Sequence, residues 1–198
     1  MADPSTSVSL LERVLDRDTE AWNHLYYLYT PLVAHWCQAW GVQGPDADDL
    51  RQEVFQAVAT GLPTFRRDRP GDSFRGWLRA IARRKFLDYC RRQDRQPTAQ
   101  GGTTAQLYFL QVAAPVETDQ DDPPLEIRRL HHRALDLVRS QFELRTWQAF
   151  WRSAVEGAAP ADVGRELAMT PAAVRQAKSR VLRRLKLEFA DLLAPPGG

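Results

Sequence analysis

In residues 74–92 the apolar side chains Phe74, Trp77, Leu78, Ile81, Ala82 and Tyr89 recur at the three- and four-residue spacings of one helix face. That period commits the segment to a helix and leaves Arg75, Arg79 and Arg83 as a flanking row four residues apart. One side can bury itself while the other meets solvent or phosphates. Charge is concentrated in the same place: residues 66–95 hold 11 Lys or Arg against 4 Asp or Glu, whereas the whole chain carries a net +2. Clustered cations that neutralise phosphates release condensed counterions, so a nucleic-acid surface competes here with an ordinary solvated face.

A second segment points the same way. Residues 160–186 read as helix, tight turn, helix. Pro160 suits the first turn of a short helix with Val163 and Leu167 on one face, and Thr170 followed by Pro171 supplies an N-cap and a proline at N1. In the second helix Val174, Ala177, Val181, Leu185, Phe189 and Leu192 keep apolar spacing. Arg175, Gln176, Lys178, Ser179, Arg180, Arg183 and Arg184 occupy the remaining surface. In a helix-turn-helix the second helix enters the major groove by its N-terminal part. Arg175, Gln176 and Ser179 are then placed for base edges, and Arg180, Arg183 and Arg184 for phosphates. A basic amphipathic helix in a plain bundle would show the same spacing.

The remaining segments are helical too, and no two-residue alternation or internal repeat competes. Ser9 opens an amphipathic stretch of Leu10, Leu11, Val14 and Leu15, continued by Ala21, Trp22, Leu25, Tyr26 and Tyr29, which implies a first helix pair. Thr30-Pro31 can restart a helix striped by Leu32, Val33, Trp36, Cys37 and Trp40. Asp46 can cap the next, with Asp48 and Asp49 in its first turn and Leu50, Val54, Ala57 and Val58 as its buried stripe. A loop with Phe65 among Arg66, Arg67 and Arg69 follows. It suits either plain surface or an unstacked base, and Asp72 or Ser73 can cap the basic helix after it. Residues 96–126 turn rich in Pro, Gly, Thr and Gln and end acidic, the composition of a linker, in which Leu107, Tyr108, Phe109 and Leu110 are the one apolar run. Beyond it, Ile127, Leu130, Ala134, Leu137 and Val138, then Leu144, Trp147, Phe150, Trp151 and Val155, outline two more helices.

Several classes fall away. No apolar run approaches the roughly 18 residues needed to span a bilayer. The polar start, Met1 to Ser7, lacks the pattern of a secretory signal, so a cytoplasmic location is expected. Cys37 and Cys90 lack zinc-site spacing and read as reduced thiols, with redox sensing as the weaker alternative. His24, His35, His131 and His132 join no catalytic pattern, and no glycine-rich phosphate loop occurs; no catalytic residue, metal or cofactor is expected.

The order of these elements resembles the extracytoplasmic-function (ECF) sigma factors, two-domain specificity subunits of bacterial RNA polymerase. Asp49-Leu50-Arg51-Gln52-Glu53-Val54-Phe55 is similar to the family's Asp-Leu-x-Gln-Glu-x-Phe segment. Phe74, Trp77, Leu78, Ile81, Ala82 and Arg83, with Asp88, Tyr89, Arg91 and Arg92, resemble its promoter-melting and minus-ten helix, and residues 163–185 its minus-thirty-five helix-turn-helix. The resemblance implies an all-α chain: sigma domain 2 at residues 9–95, a flexible linker at 96–126, and sigma domain 4 at 127–193. It assigns core polymerase docking to Asp48, Asp49, Leu50, Gln52, Glu53 and Phe55. Minus-ten and single-strand contacts fall to Phe65, Arg66, Arg67, Arg75, Trp77, Arg79, Arg83, Arg84, Lys85, Arg91 and Arg92. Minus-thirty-five contacts fall to Arg175, Gln176, Lys178, Ser179, Arg180, Arg183 and Arg184.

The partners implied are core RNA polymerase and promoter DNA, with an anti-sigma factor as a further candidate. Three departures stand out. Arg84 replaces a common Asn; Gly164 and Ala168 stand where Ala and Gly, respectively, are common; and the linker is long, with Gly101-Gly102. A polymerase-independent helix-turn-helix repressor or activator would need a palindromic site and a dimer helix that the sequence does not offer. An RNA-binding antitermination protein is the third class.

Overall fold

A computed structural model describes residues 9–66, 68, 72–94 and 122–193, and those residues form helices and turns without a strand. The first helix, α1 (Leu10–Leu15), starts at a capping box. Ser9 Oγ accepts from the Glu12 N–H at 3.3 Å, and Glu12 Oε2 accepts from the Ser9 N–H at 2.7 Å. Arg17, at φ 63°, turns the chain left-handed so that the Asp18 N–H reaches back to the Arg13 carbonyl at 3.0 Å. Asp18 then caps α2 (Thr19–Ala39), accepting from the N–H groups of Glu20 and Ala21 at 2.9 and 3.2 Å.

The restart expected at Thr30-Pro31 does not occur, because α2 runs straight through Pro31. Proline removes one backbone bond, but Leu25, Leu28, Tyr29, Leu32, Val33, Trp36 and Cys37 all bury on one face of α2, and that burial outweighs the loss. Thr30 Oγ1 also donates to the Tyr26 carbonyl at 2.6 Å beside the gap. The helix stops at Gly41, φ 81°. Helix α3 (Gly44–Gly61) begins two residues before Asp46, with Pro45 in its first turn, so Asp46 is not the cap. Its carboxylate accepts instead from the Tyr89 hydroxyl at 2.7 Å, tying α3 to α4 (Phe74–Asp94).

Ser73 caps α4, its Oγ accepting from the Gly76 N–H at 2.9 Å. The fully buried row of α4 is Phe74, Leu78, Ala82, Phe86 and Cys90, while Trp77, Ile81 and Tyr89 flank it half-buried. Beyond the linker, α5 (Pro124–Arg139) starts three residues earlier than the apolar pattern indicated. Then come α6 (Leu144–Phe150), continued by a wider turn at Trp151–Val155, α7 (Pro160–Glu166) and α8 (Pro171–Leu193), which kinks at Phe189.

One buried cluster runs from α1 through α4 and on into Leu130, Ala134 and Val138 of α5, Trp147 and Phe150 of α6, and Val181 and Phe189 of α8. It is continuous because α5 lies against α2 and α8 reaches α1 and α4. A smaller cluster, Ala149, Val163, Val174 and Ala177, holds α7 and α8 to α6. The 96–121 part of the expected linker, with Leu107, Tyr108, Phe109 and Leu110, lies outside the described residues.

Candidate nucleic-acid interface

The cations of α4 separate into two groups. Arg75 is buried, 8% exposed, and Arg79 half-buried. Both face Asp122, two residues ahead of α5: Arg75 Nε lies 3.3 Å from Oδ2, and Arg79 Nη1 3.7 Å from Oδ1. The Trp36 indole N–H donates to Oδ1 at 2.7 Å, and the Arg79 guanidinium lies over the Trp36 ring, 5.9 Å from its centroid. The row of three arginines read from the sequence therefore divides: Arg75 and Arg79 turn toward this inner carboxylate, and Arg83 lies half-buried beyond them. Arg84, Arg91 and Arg92 stand at the surface and Lys85 half-buried.

Glu53 of α3 takes part in that surface. Its carboxylate accepts from Arg92 Nη2 and Nη1 at 2.8 and 3.3 Å and lies 4.0 Å from Lys85 Nζ. Arg91 pairs with Asp88 at 3.0 Å. Between α3 and α4 lies a groove with Gly61 and Trp77 at one end and Glu53, Arg84 and Lys85 at the other. A Cβ at Gly61 would stand 3.2 Å from the Trp77 ring, so the glycine gives that ring room.

Phe65 is half-buried, its ring 5.7 Å from Phe74 and 5.1 Å from Trp77. Arg66 is exposed and donates through Nη1 to the Pro63 and Phe65 carbonyls, each at 2.9 Å, while Arg67 lies outside the described residues. Of the expected docking residues, Asp48, Asp49 and Gln52 face solvent, whereas Leu50 and Phe55 belong to the core at 1% and 4% exposure. Phe55 packs beneath Tyr26, ring centroids 4.6 Å apart.

In the C-terminal half the Thr170 hydroxyl accepts from the Ala173 N–H at 3.1 Å and caps α8. Arg175, Gln176, Ser179, Arg180 and Arg183 point outward, Lys178 is half-buried, and Arg184 is held by Glu188 at 3.0 Å. The turn before α8 is built on the two positions where this chain departs from the family pattern. Ala168 adopts φ 51°, and the Met169 N–H reaches the Gly164 carbonyl at 2.8 Å. A Cβ on Gly164 would lie 2.6 Å from the Met169 oxygen, which is why only glycine fits there. Two arginines not singled out from the sequence brace this turn. Arg145 donates through Nε to the Leu167 carbonyl at 2.9 Å and through Nη2 to that of Ala168. Arg152 clasps Glu166 at 2.8 and 3.1 Å and also pairs with Glu156. Their partners are 22 and 14 residues away, beyond any helical spacing a sequence pattern can register.

Residues 25–96 match the family Sigma-70 region 2. Over 200 aligned residues the chain is 32% identical to the ECF RNA polymerase sigma factor ShbA of Streptomyces griseus, with 94% of this chain and 97% of the relative covered. The chain belongs to the ECF sigma factors. As an RNA polymerase sigma factor it acts in transcription initiation, which means binding core RNA polymerase and promoter DNA. Sigma factors are initiation factors rather than enzymes. Among the described residues of this sigma factor no helix is long and apolar enough to cross a membrane, and no group of side chains is arranged to hold a metal ion. Its two cysteines are free and buried, and burial pushes the Cys37 thiol up to about 11, far from the thiolate needed for redox chemistry.

Proposed function

We propose that this sigma factor divides initiation among three surfaces. The exposed Asp48, Asp49 and Gln52 of α3 meet basic helices of the polymerase's largest subunit, with Glu53 shared between that face and α4. The Phe65 loop and the outer cations of α4, with Arg84, Lys85 and Arg92 foremost, follow the displaced strand of the minus-ten region. Arg175, Gln176 and Ser179 read base edges of the minus-thirty-five region, while Arg180 and Arg183 meet phosphates. The work belongs in the cytoplasm, where polymerase and promoters are.

The observation that carries this reading is the outward face of α8. Five of its polar and cationic side chains, Arg175, Gln176, Ser179, Arg180 and Arg183, are solvent-exposed on a helix whose start is fixed by Thr170. Reconstituted transcription with core polymerase and genomic DNA tests it. Defined start sites that depend on the protein, and that are lost when Arg175 and Gln176 both become Ala, are expected. Initiation indifferent to that double change would refute the reading of α8.

A further inference from the structure

The two helices proposed to read the promoter touch one another. Helix α8 packs against α1 and α4 while α5 lies along α2, so the C-terminal half shares its core with the N-terminal half. With 23 residues, α8 is about 35 Å long, and its reading end at Arg175 and Gln176 stands no farther than that along the helix from where it meets α4. The minus-ten and minus-thirty-five elements, about 25 base pairs apart by their names, are separated by roughly 85 Å of duplex at about 3.4 Å per base pair. A chain of 198 residues folded as one body has a radius of gyration of about 16 Å. This arrangement cannot cover both elements.

Polar ties accompany the shared core. The Trp36 indole N–H of α2 donates to Asp122 Oδ1, ahead of α5, at 2.7 Å. The Arg133 guanidinium of α5 lies 6.0 Å from the centre of the Tyr27 ring of α2. Arg13 Nη1 of α1 stands 3.9 Å from Glu188 Oε1 of α8. The Glu188 side chain is only 3% exposed; it also pairs with Arg184 at 3.0 Å and accepts from Gln141 Nε2 at 3.3 Å. The same carboxylate that faces α1 therefore engages a cation of the reading helix.

We propose that this packing is an autoinhibited state: the free chain reads one promoter element at a time, and its two halves part in the complex with core polymerase before both are read. This rests on the assignment of α4 and α8 to the two elements. Joining two binding modules raises affinity by about 10²- to 10⁴-fold only where geometry lets both engage, and the closed chain forgoes that gain. Leu130, Ala134 and Val138 are buried in the closed form, so parting exposes apolar surface and does not proceed unaided. Asp49 and Gln52 are already exposed before parting. Docking there does not by itself favour the open form; the preference comes from contacts that polymerase and promoter make with the C-terminal half once it has moved.

The test bridges the two halves reversibly in the full chain. Cysteines replace Tyr27 and Arg133, which face each other across α2 and α5, and a short bis-maleimide with a reducible link joins them; the native Cys37 and Cys90 are buried. The free protein is expected to bridge within one molecule almost completely. A yield in native buffer no higher than in urea would show that the halves are apart and overturn the closed state. In reconstituted transcription with core polymerase, the bridged protein is expected to give at least ten-fold fewer start-site-specific transcripts, restored when reduction cuts the bridge. Transcripts at the unbridged level from the bridged protein would overturn the inhibition, as would a loss that reduction does not reverse while circular dichroism is unchanged. The parent chain separates the two levels. If it selects no start site, the assignment of the reading surfaces fails; if it does and the bridged protein matches it, only the autoinhibited state fails.

Discussion

Gly164 and Ala168 show how much a single backbone position decides. The left-handed turn between α7 and α8 is usually made by glycine because a Cβ crowds the following carbonyl there, at a cost of roughly 1–2 kcal/mol. In this chain alanine bears that strain at φ 51°, and the glycine four residues earlier yields the space the turn needs. Ala168→Gly is expected to raise stability by about 1 kcal/mol in urea unfolding, whereas Gly164→Ala, which drives a methyl into the Met169 carbonyl, lowers it by about 1–3 kcal/mol. Equal and small effects of the two would contradict the turn geometry.

Asp18 gives a pH-dependent counterpart. The Arg13 side chain and then the Ala21 N–H hold its carboxyl below the ordinary value of 3.8. The folded state therefore binds fewer protons than the unfolded one in that range. The stabilisation is fully present above the unfolded value and fades as pH falls below it through the folded value. Replacing Asp18 with Asn should flatten that part of the acid-unfolding curve; an unchanged acid limb would remove the cap from the account.

At the level of elements, α3 separates roles that sequence spacing had merged. Leu50 and Phe55 are core, Glu53 bridges to Arg92 and Lys85, Asp48 pairs with Arg51, and Asp49 and Gln52 stay on the outer face. Reversing Asp49 and Glu53 together would confound docking with the α3–α4 bridge. Asp49→Lys with Gln52→Lys touches only the outer face. It is expected to abolish co-purification with core polymerase while leaving the thermal midpoint within a few degrees, as exposed substitutions generally do. Retained co-purification would remove α3 from the docking surface. On α8, changing Arg175 and Gln176 to Ala should cost about 1–3 kcal/mol of discrimination at each read base with little loss on scrambled DNA.

For the whole molecule, the shared core makes a sharper demand than two beads on a string would. Leu130 is 2% exposed in the same cluster as α2, so Leu130→Ala is expected to cost about 2–5 kcal/mol and to shift one common unfolding transition. Two separate transitions by circular dichroism and Trp fluorescence would contradict a continuous core.

Much of this architecture was legible beforehand, because helices are written in local terms. The Ser9 and Thr170 caps, the proline at 171 and the three-and-four spacing in α4 and α8 act between residues at most one turn apart, and the sequence alone determined them. What it could not determine is which charges stay at the surface. Trp36 and Asp122 are 86 residues apart, Glu53 and Arg92 are 39, and neither pairing has a period. The packing that brings Asp122 against α2 and α4 sets it beside Arg75 and Arg79, while Arg84 stays outside. A buried charge must be matched by whatever the fold brings to it, and that is a property of the assembled core rather than of any one helix.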